Sequence, residues 1–155
     1  SSYGKGPAEK GVTLLRGSMY GNTDKMVASI DSGLKAAGVP VDAHDVTTTP
    51  VSYILPSIWK NQGVVIGAPT YEGTLFPTMQ MVLYMAEIKR AFNKQAIYFG
   101  SYGWGGGATR FLKSQFEKMN WELGETLEFA GQAREENLTE AFEMGKRFGK
   151  KILQG

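Results

Sequence analysis

Cysteine is absent from the 155-residue sequence, which excludes disulfides, cysteine nucleophiles, iron–sulfur clusters and cysteine-ligated zinc. Histidine occurs once, at His44, so neither a histidine-rich metal site nor a Ser-His-Asp triad is expected within this chain. No apolar run approaches the ~20 residues that a membrane-spanning helix needs, and no signal peptide is visible. We therefore expect a cytoplasmic protein with no metal site and no membrane association.

Clustered positive charge is also scarce. Seventeen Lys and Arg residues against fifteen Asp and Glu residues leave a net charge of +2. Because nucleic-acid binding requires a basic patch or stripe, we expect no nucleic-acid partner. Lys89, Arg90 and Lys94 form a short basic cluster. The 42% hydrophobic content and the length are typical of one globular domain.

Apolar strand patterns and helical patterns alternate along the chain. Residues 1–10 have the composition of a linker or of the remnant of a preceding domain, and 11–155 form the predicted domain. Strands are expected at 12–16, 41–46, 63–67, 95–100 and 121–131, and helices at 26–37, 52–59, 77–91, 108–119 and 137–152. Asn137 resembles the N-cap of the last helix, and Trp59 and Trp121 are expected in the core. Strict alternation predicts an α/β fold with a parallel sheet and helices on both faces.

The first strand leads into a loop whose composition suits a phosphate group. Two glycines allow a tight turn, and the start of a helix adds unpaired N–H groups and a partial positive charge. This loop is the segment Gly17-Ser18-Met19-Tyr20-Gly21-Asn22-Thr23. Its last six residues include four neutral side-chain donors, Ser18, Tyr20, Asn22 and Thr23. No Gly-Lys-Ser/Thr follows, so this is not a nucleotide triphosphate loop. An ordinary strand-to-helix turn is the alternative, because Gly, Ser and Asn favour turns anyway.

Two further loops are expected at the same edge of the sheet. The third and fourth predicted strands run into Ala68-Pro69-Thr70-Tyr71-Glu72-Gly73-Thr74 and Ser101-Tyr102-Gly103-Trp104-Gly105-Gly106-Gly107. Each contains aromatic residues beside glycines. Since ligands of open parallel sheets bind beyond the carboxyl ends of the strands, the three loops predict one ligand site.

These three motifs, in this order and spacing, resemble the flavodoxin family. More closely they resemble the flavodoxin domain of flavodiiron proteins, over nearly the whole chain from Val12 to Ile152. The resemblance implies a doubly wound five-stranded sheet of order 2-1-3-4-5, with flavin mononucleotide (FMN) bound at the switch point.

The resemblance also implies a role for each loop. The FMN phosphate would be held by Ser18, Met19, Tyr20, Gly21, Asn22 and Thr23. One edge of the flavin ring would be bordered by Pro69, Thr70, Tyr71, Glu72 and Gly73, and the other by Ser101, Tyr102, Gly103, Trp104, Gly105 and Gly106. Tyr71 and Trp104 are the favoured residues to flank the ring, with Tyr102 in reserve, although Trp104 could instead cap the core.

The peptide between Glu72 and Gly73 is the part of the second loop that could respond to reduction of the flavin. The resemblance implies a backbone carbonyl here that can turn toward flavin N5, and Gly permits such a change at little cost. Glu72 departs from the Asn that the family often has at this position. Its carboxylate would either oppose negative charge on the reduced ring or point to water.

The resemblance implies non-covalent FMN-dependent electron transfer, as one module of a flavodiiron oxygen or nitric oxide reductase. Electrons would come from a rubredoxin-like or flavin reductase donor and pass to a diiron centre on a separate domain, in a homo-oligomer of the full-length chain. No side chain is expected to act as acid, base or nucleophile, so whether this chain is an enzyme by itself stays open. The alternatives are a freestanding flavodoxin and a flavodoxin-like NAD(P)H:quinone reductase. Shuttle flavodoxins resemble one another in being acidic, which this chain is not.

Overall fold

Strands and helices alternate along the chain in this computed structural model. It describes residues 8–17, 21–68, 70–71, 74–101, 107–129 and 133–155, with the backbone alone at 21–23, 70, 71, 74 and 101. The strands are β1 Glu9–Arg16, β2 Val41–Asp45, β3 Asn61–Gly67, β4 Thr70–Tyr71, β5 Thr74–Leu75, β6 Gln95–Ser101 and β7 Glu122–Phe129. The helices are α1 Gly21–Ala37, α2 Val51–Lys60, α3 Pro77–Ile88, α4 Gly107–Met119 and α5 Glu135–Gln154.

Five of these strands form one parallel sheet in the order β2-β1-β3-β6-β7. Counted along that sheet the order is 2-1-3-4-5, so the expected fold is confirmed. β3 lies at its centre, in keeping with its nearly continuous apolar sequence. β4 and β5 form a separate antiparallel pair within what the sequence predicted to be a plain loop.

Two apolar layers enclose the sheet. On one face α1 and α5 cover Val12, Leu14 and Val65, whereas α2, α3 and α4 cover Leu15, Ile66 and other residues of the opposite face. Glycines bring α1 and α5 together, because a Cβ at Gly33 would strike the carbonyl oxygen of Phe142. The side chains that alternate along each strand therefore divide between two separate cores.

Several element ends differ from those predicted. β1 begins at Glu9, so Glu9 and Lys10 of the predicted linker already belong to this strand, and Glu9 pairs with Asn61 of β3. α3 ends at Ile88 rather than at Ala91. Two residues later, at Arg90, the backbone adopts a left-handed conformation that a helix cannot include. Interior positions follow from periodicity, whereas ends depend on local backbone geometry.

The prediction that Asn137 is the N-cap of the last helix was wrong. α5 begins at Glu135, and Asn137 lies inside its first turn. From there Asn137 Oδ1 accepts a hydrogen bond of 2.9 Å from the Arg134 backbone N–H. The amide caps the helix from within, as the third residue of a capping box does.

Lys94 belongs to the basic cluster of the sequence, but it lies in the interior. This side chain is 5% exposed, and its Nζ donates to the Trp59 carbonyl oxygen at 2.9 Å. Burial lowers the pKa of Lys94 to about 8. Trp121 lies in the core as expected, whereas Trp59 is half-buried at its margin.

Candidate functional site at the carboxyl edge of the sheet

The carboxyl ends of three neighbouring strands meet at one edge of the sheet. Arg16 of β1 pairs in register with Gly67 of β3, which pairs with Phe99 of β6. Beyond the strands, Gly17 N–H donates to Gly67 O at 2.8 Å and Ala68 N–H donates to Phe99 O at 3.2 Å. The three loops that the sequence singled out therefore leave the sheet from adjacent, hydrogen-bonded positions.

The predicted site residues are described to different extents. Gly21, Asn22 and Thr23 open α1, which begins five residues before the predicted helix 26–37, and Ser101 ends β6. Thr70 and Tyr71 form β4, which returns through β5 toward α3. The remaining predicted residues, Ser18, Met19, Tyr20, Pro69, Glu72, Gly73, Tyr102, Gly103, Trp104, Gly105 and Gly106, lie outside the described residues. Their roles stay predictions.

Glycine allows the strand ends to approach one another closely. A Cβ at Gly100 would strike the carbonyl oxygen of Ala68, and a Cβ at Gly67 would strike the ring of Phe99. At Gly17 a Cβ would lie 3.1 Å from the ring of Phe76, the residue before α3. Close packing of these glycines against one carbonyl oxygen and two aromatic rings therefore sets the spacing of the loops at this edge.

Tyr98 holds the start of the predicted loop 69–73 by a hydrogen bond. Its side chain is fully buried, and its hydroxyl donates to Ala68 O at 3.1 Å, directly before the predicted loop 69–73. Burial, with a smaller contribution from the charge of Glu128, raises the pKa of the Tyr98 hydroxyl, which stays protonated. Sequence reasoning missed this role, because an aromatic residue in an apolar strand is indistinguishable from ordinary core.

Glu128 is an acidic residue at the same edge that the sequence did not single out. It lies on β7 in register with Gly100. Its Oε2 is buried and has no hydrogen-bond partner among the described residues, and burial raises the pKa of the carboxyl. No pattern distinguishes Glu128 from its neighbouring glutamates, so only the sheet register reveals its position.

A basic residue also lies beside the predicted phosphate loop. Arg16 ends β1 directly before that loop, and its Nη2 donates to Asp24 Oδ1 in the first turn of α1. Arg16 Nε is buried and has no acceptor among the described residues. The loop itself contains no Lys or Arg, so this cation, one residue before the loop, was not predicted from the sequence.

Other parts of the described chain offer no competing chemistry. Among its described residues no three His, Asp or Glu side chains are grouped closely enough to hold a metal ion. Likewise, none of the helices in the described ranges is both long and apolar enough to span a membrane.

A cavity of about 180 Å³ lies at the opposite, amino edge of the sheet, between Gln95, Glu122 and Arg147. It is remote from the predicted loops.

A sequence model of the flavodoxin family matches residues 14–145, which include the end of β1 and the other four strands of the sheet in full. The chain belongs to the flavodoxin family. Membership of this family implies flavin binding, and the carboxyl edge described above is where its switch point lies.

Related flavodoxin-family sequences occur in larger flavoproteins. A putative diflavin flavoprotein A 2 of Thermosynechococcus vestitus is 37% identical over 77% of this chain and 21% of its own length. A nitric oxide reductase of Moorella thermoacetica is 26% identical over 97% of this chain and 38% of its own length. The chain spans 21% to 38% of the length of the curated relatives it matches.

A solved flavodiiron structure shares the fold. The Flv1 flavodiiron core from Synechocystis sp. PCC6803 superposes with a TM-score of 0.82 and 27% identity, over 93% of this chain and 36% of that chain. The chain is thus a flavodoxin-family domain related to flavodiiron proteins.

Proposed function

We propose that this flavodoxin-family chain binds FMN non-covalently and transfers electrons as one module of a flavodiiron oxygen or nitric oxide reductase. The observation that carries the proposal is the meeting of three loop origins at one edge, with α1 beginning at Gly21 in the predicted phosphate loop. No side chain is assigned a role as acid, base or nucleophile.

The start of α1 suits the phosphate end of FMN. The first N–H groups of a helix have no partner within the helix, and its dipole favours an anion there. Arg16 adds a cation whose buried Nε lacks an acceptor in the described part of the chain. The donors present therefore fit a phosphate monoester, held by residues 18–23.

The two other loops suit the flavin ring. Its flat apolar surface would lie between the loops 69–73 and 101–106, with Tyr71 and Trp104 flanking it and backbone groups meeting its polar edge. Bound FMN would supply the electron-transfer chemistry. The chain would hold the ring in one orientation and limit the access of water.

The names of similar proteins support the proposed electron acceptor and donor. One similar structure is a flavodiiron core and one relative is a nitric oxide reductase flavorubredoxin, and both are much longer than this chain. We infer that a diiron domain receives the electrons, that a rubredoxin-like or flavin reductase protein donates them, and that the full-length protein is a homo-oligomer.

Binding of FMN and riboflavin to the apoprotein tests the site. Flavin fluorescence should be strongly quenched on binding, and riboflavin, which lacks the phosphate, should bind far more weakly than FMN. Thr23→Val should cost about 1.5–3 kcal/mol of FMN affinity, as a hydrogen bond to a charged group does. Equal affinity for the two flavins would contradict the proposal.

The ring site has its own measurement. Trp104→Leu should partly restore the fluorescence of bound flavin, and Tyr71→Leu should do so if Tyr71 is the nearer ring. Trp121→Phe, in the core, is the matched control and should leave quenching unchanged. If quenching and affinity are the same in all three variants, the aromatic residues of the loops are structural.

A comparison of chain lengths tests the module. With the same electron donor, this chain should accept and pass electrons but reduce oxygen or nitric oxide only at trace rates. A longer product of the same gene that contains a His-rich domain should turn over either gas. Equal gas reduction by both, or a gene without such a domain, would favour a freestanding flavodoxin, whereas NADH oxidation with a quinone would favour the quinone reductase.

A further inference from the structure

An ion pair joins the two ends of the predicted phosphate loop. Arg16 is the last residue of β1, Asp24 lies in the first turn of α1, and the loop 17–23 is the chain between them. Arg16 Nη2 donates to Asp24 Oδ1. Gly17 N–H also donates to Gly67 O at 2.8 Å, which holds the start of the loop to the sheet. The ion pair holds the two ends of the loop to each other.

Arg16 is the more enclosed partner of this pair. Its side chain is 28% exposed against 52% for Asp24, and its Nε is buried without an acceptor among the described residues. A guanidinium has five N–H donors in a planar fork, which matches the oxygens of carboxylates and phosphates. Asp24 accepts from Nη2 of the fork, and among the described residues the buried Nε is a donor left for a second anion.

Two other charged residues lie close by in the chain or in the sheet. Asp45 pairs with Arg16 in the backbone register of β1 and β2, and its Oδ1 accepts hydrogen bonds from the N–H and hydroxyl of Thr47. Lys25, the neighbour of Asp24 on α1, is exposed. Arg16 and Asp24 are the charged pair whose side chains join the two ends of the loop.

We propose that the Arg16–Asp24 ion pair determines how strongly the site prefers a phosphorylated flavin over an unphosphorylated one. Arg16 supplies a cation to the phosphate monoester and holds the loop closed through Asp24. Asp24 limits that attraction, because its carboxylate neutralises part of the cation and repels the phosphate. The inference rests on the proposed function, and it adds a specificity-determining residue outside the loop itself.

Two opposed variants of the pair test the inference. Arg16→Met removes the cation and leaves Asp24 uncompensated, so FMN affinity should fall by about tenfold or more, as with loss of a charged hydrogen bond. Riboflavin affinity should change by less than about twofold, since no charge meets it at this point. Asp24→Asn should instead increase the preference for FMN over riboflavin. Arg16→Lys, which keeps the positive charge, should retain part of the preference that Arg16→Met loses.

A second ion pair provides the matched control. Arg147 and Glu125 form a two-point pair at 2.7 and 2.9 Å near the amino edge, remote from the loop. Arg147→Met makes the same change in net charge and should leave the ratio of FMN to riboflavin affinity as in the wild type. Thermal melts of the apoproteins identify any variant that no longer folds, and Asp24→Asn, nearly isosteric, tests the inference if Arg16→Met does not fold.

The outcomes separate the inference from the proposed function. Wild-type chain that binds both flavins equally, or neither, would overturn the FMN site itself. A wild-type preference for FMN that persists undiminished in Arg16→Met, or an equal loss of both flavins there, would overturn only the inference. An unchanged preference in Asp24→Asn would likewise reduce the pair to a structural contact.

Discussion

Two polar regions of this flavodoxin-family domain differ in how completely their hydrogen bonds are made. Beneath α2, Asn61 Nδ2 donates to Thr13 Oγ1 at 3.0 Å and to Asp42 Oδ2 at 3.1 Å. Thr13 Oγ1 in turn donates to Ser57 O at 2.9 Å. Lys60, 2.9 Å from Asp42, is the main cause of the lowered pKa of that carboxyl. The polar groups of this network are satisfied from within the chain.

The carboxyl edge is the contrasting region. Arg16 Nε and Glu128 Oε2 are buried there without partners among the described residues. A buried polar group without a partner carries a free-energy cost, which a ligand can remove. Gln95 Oε1, near the amino edge, shows that such groups are not confined to one end. What distinguishes the carboxyl edge is that its groups stand beside three loop origins.

The contrast predicts different sensitivity to an added methyl group. At Gly100 the Cβ would strike the Ala68 carbonyl, part of the backbone, whereas at Gly11 it would strike the side-chain oxygen of Asn61, which can move. Gly100→Ala should therefore cost about 3 kcal/mol or more, above the usual range for overpacking, and Gly11→Ala about 1 kcal/mol. Chemical denaturation measures both. Equal costs would show that both regions are equally adaptable.

The pH dependence of stability tests Lys94, whose Nζ donates to the carbonyl oxygen of Trp59 in α2. Its pKa is about 8 when folded and 10.5 in the unfolded chain, so between these values only the unfolded chain holds the proton. The free energy of unfolding should rise with pH across this window, by roughly 3 kcal/mol more than in Lys94→Met. The exposed Lys113→Met is the control. Parallel pH profiles for the wild type and Lys94→Met would contradict a buried, charged Lys94.

Asn61→Ala should separate stability from ligand binding. Asn61 is 3% exposed and loses its bonds to Thr13 and Asp42, so the domain should be destabilised by about 2 kcal/mol. The ratio of FMN to riboflavin affinity should not change, because this network lies away from the loops. Gln62→Ala, which loses one long bond of 3.4 Å, should stay within about 0.5 kcal/mol of wild type. A changed flavin preference in Asn61→Ala would show that the regions are coupled.

The smallest effect is expected at Glu128. Because its pKa is raised on folding, the folded chain binds a proton there more readily, and stability falls as pH rises through that pKa. Glu128→Gln should therefore raise the melting temperature at pH 7, and the gain should disappear near pH 4, where the wild-type carboxyl is protonated. Glu122→Gln, exposed on the same strand, should show no such gain. A uniform gain at both pH values would point to packing rather than charge.

The amino-acid pattern determined the layers and the order of this domain. Runs such as Val64–Ile66 and the helical spacing of Leu112 and Phe116 depend on side-chain burial alone, which repeats along the sequence with the period of each element. The resemblance followed from three loops read together, and the resemblance in turn implied the strand order. The sequence also indicated a helix directly after the first loop, although α1 begins at Gly21 rather than at residue 26.

Long-range contacts, by contrast, were settled only in three dimensions. The support of Ala68 by Tyr98 and the position of Glu128 beside Gly100 depend on sheet register. The pairing of Arg16 with Asp24 depends on where α1 begins relative to the end of β1. Burial of Lys94 depends on a carbonyl 35 residues away in the chain. Side-chain chemistry is written in the sequence, but whether a charged group finds a partner, water or neither is decided by which backbone the fold brings against it.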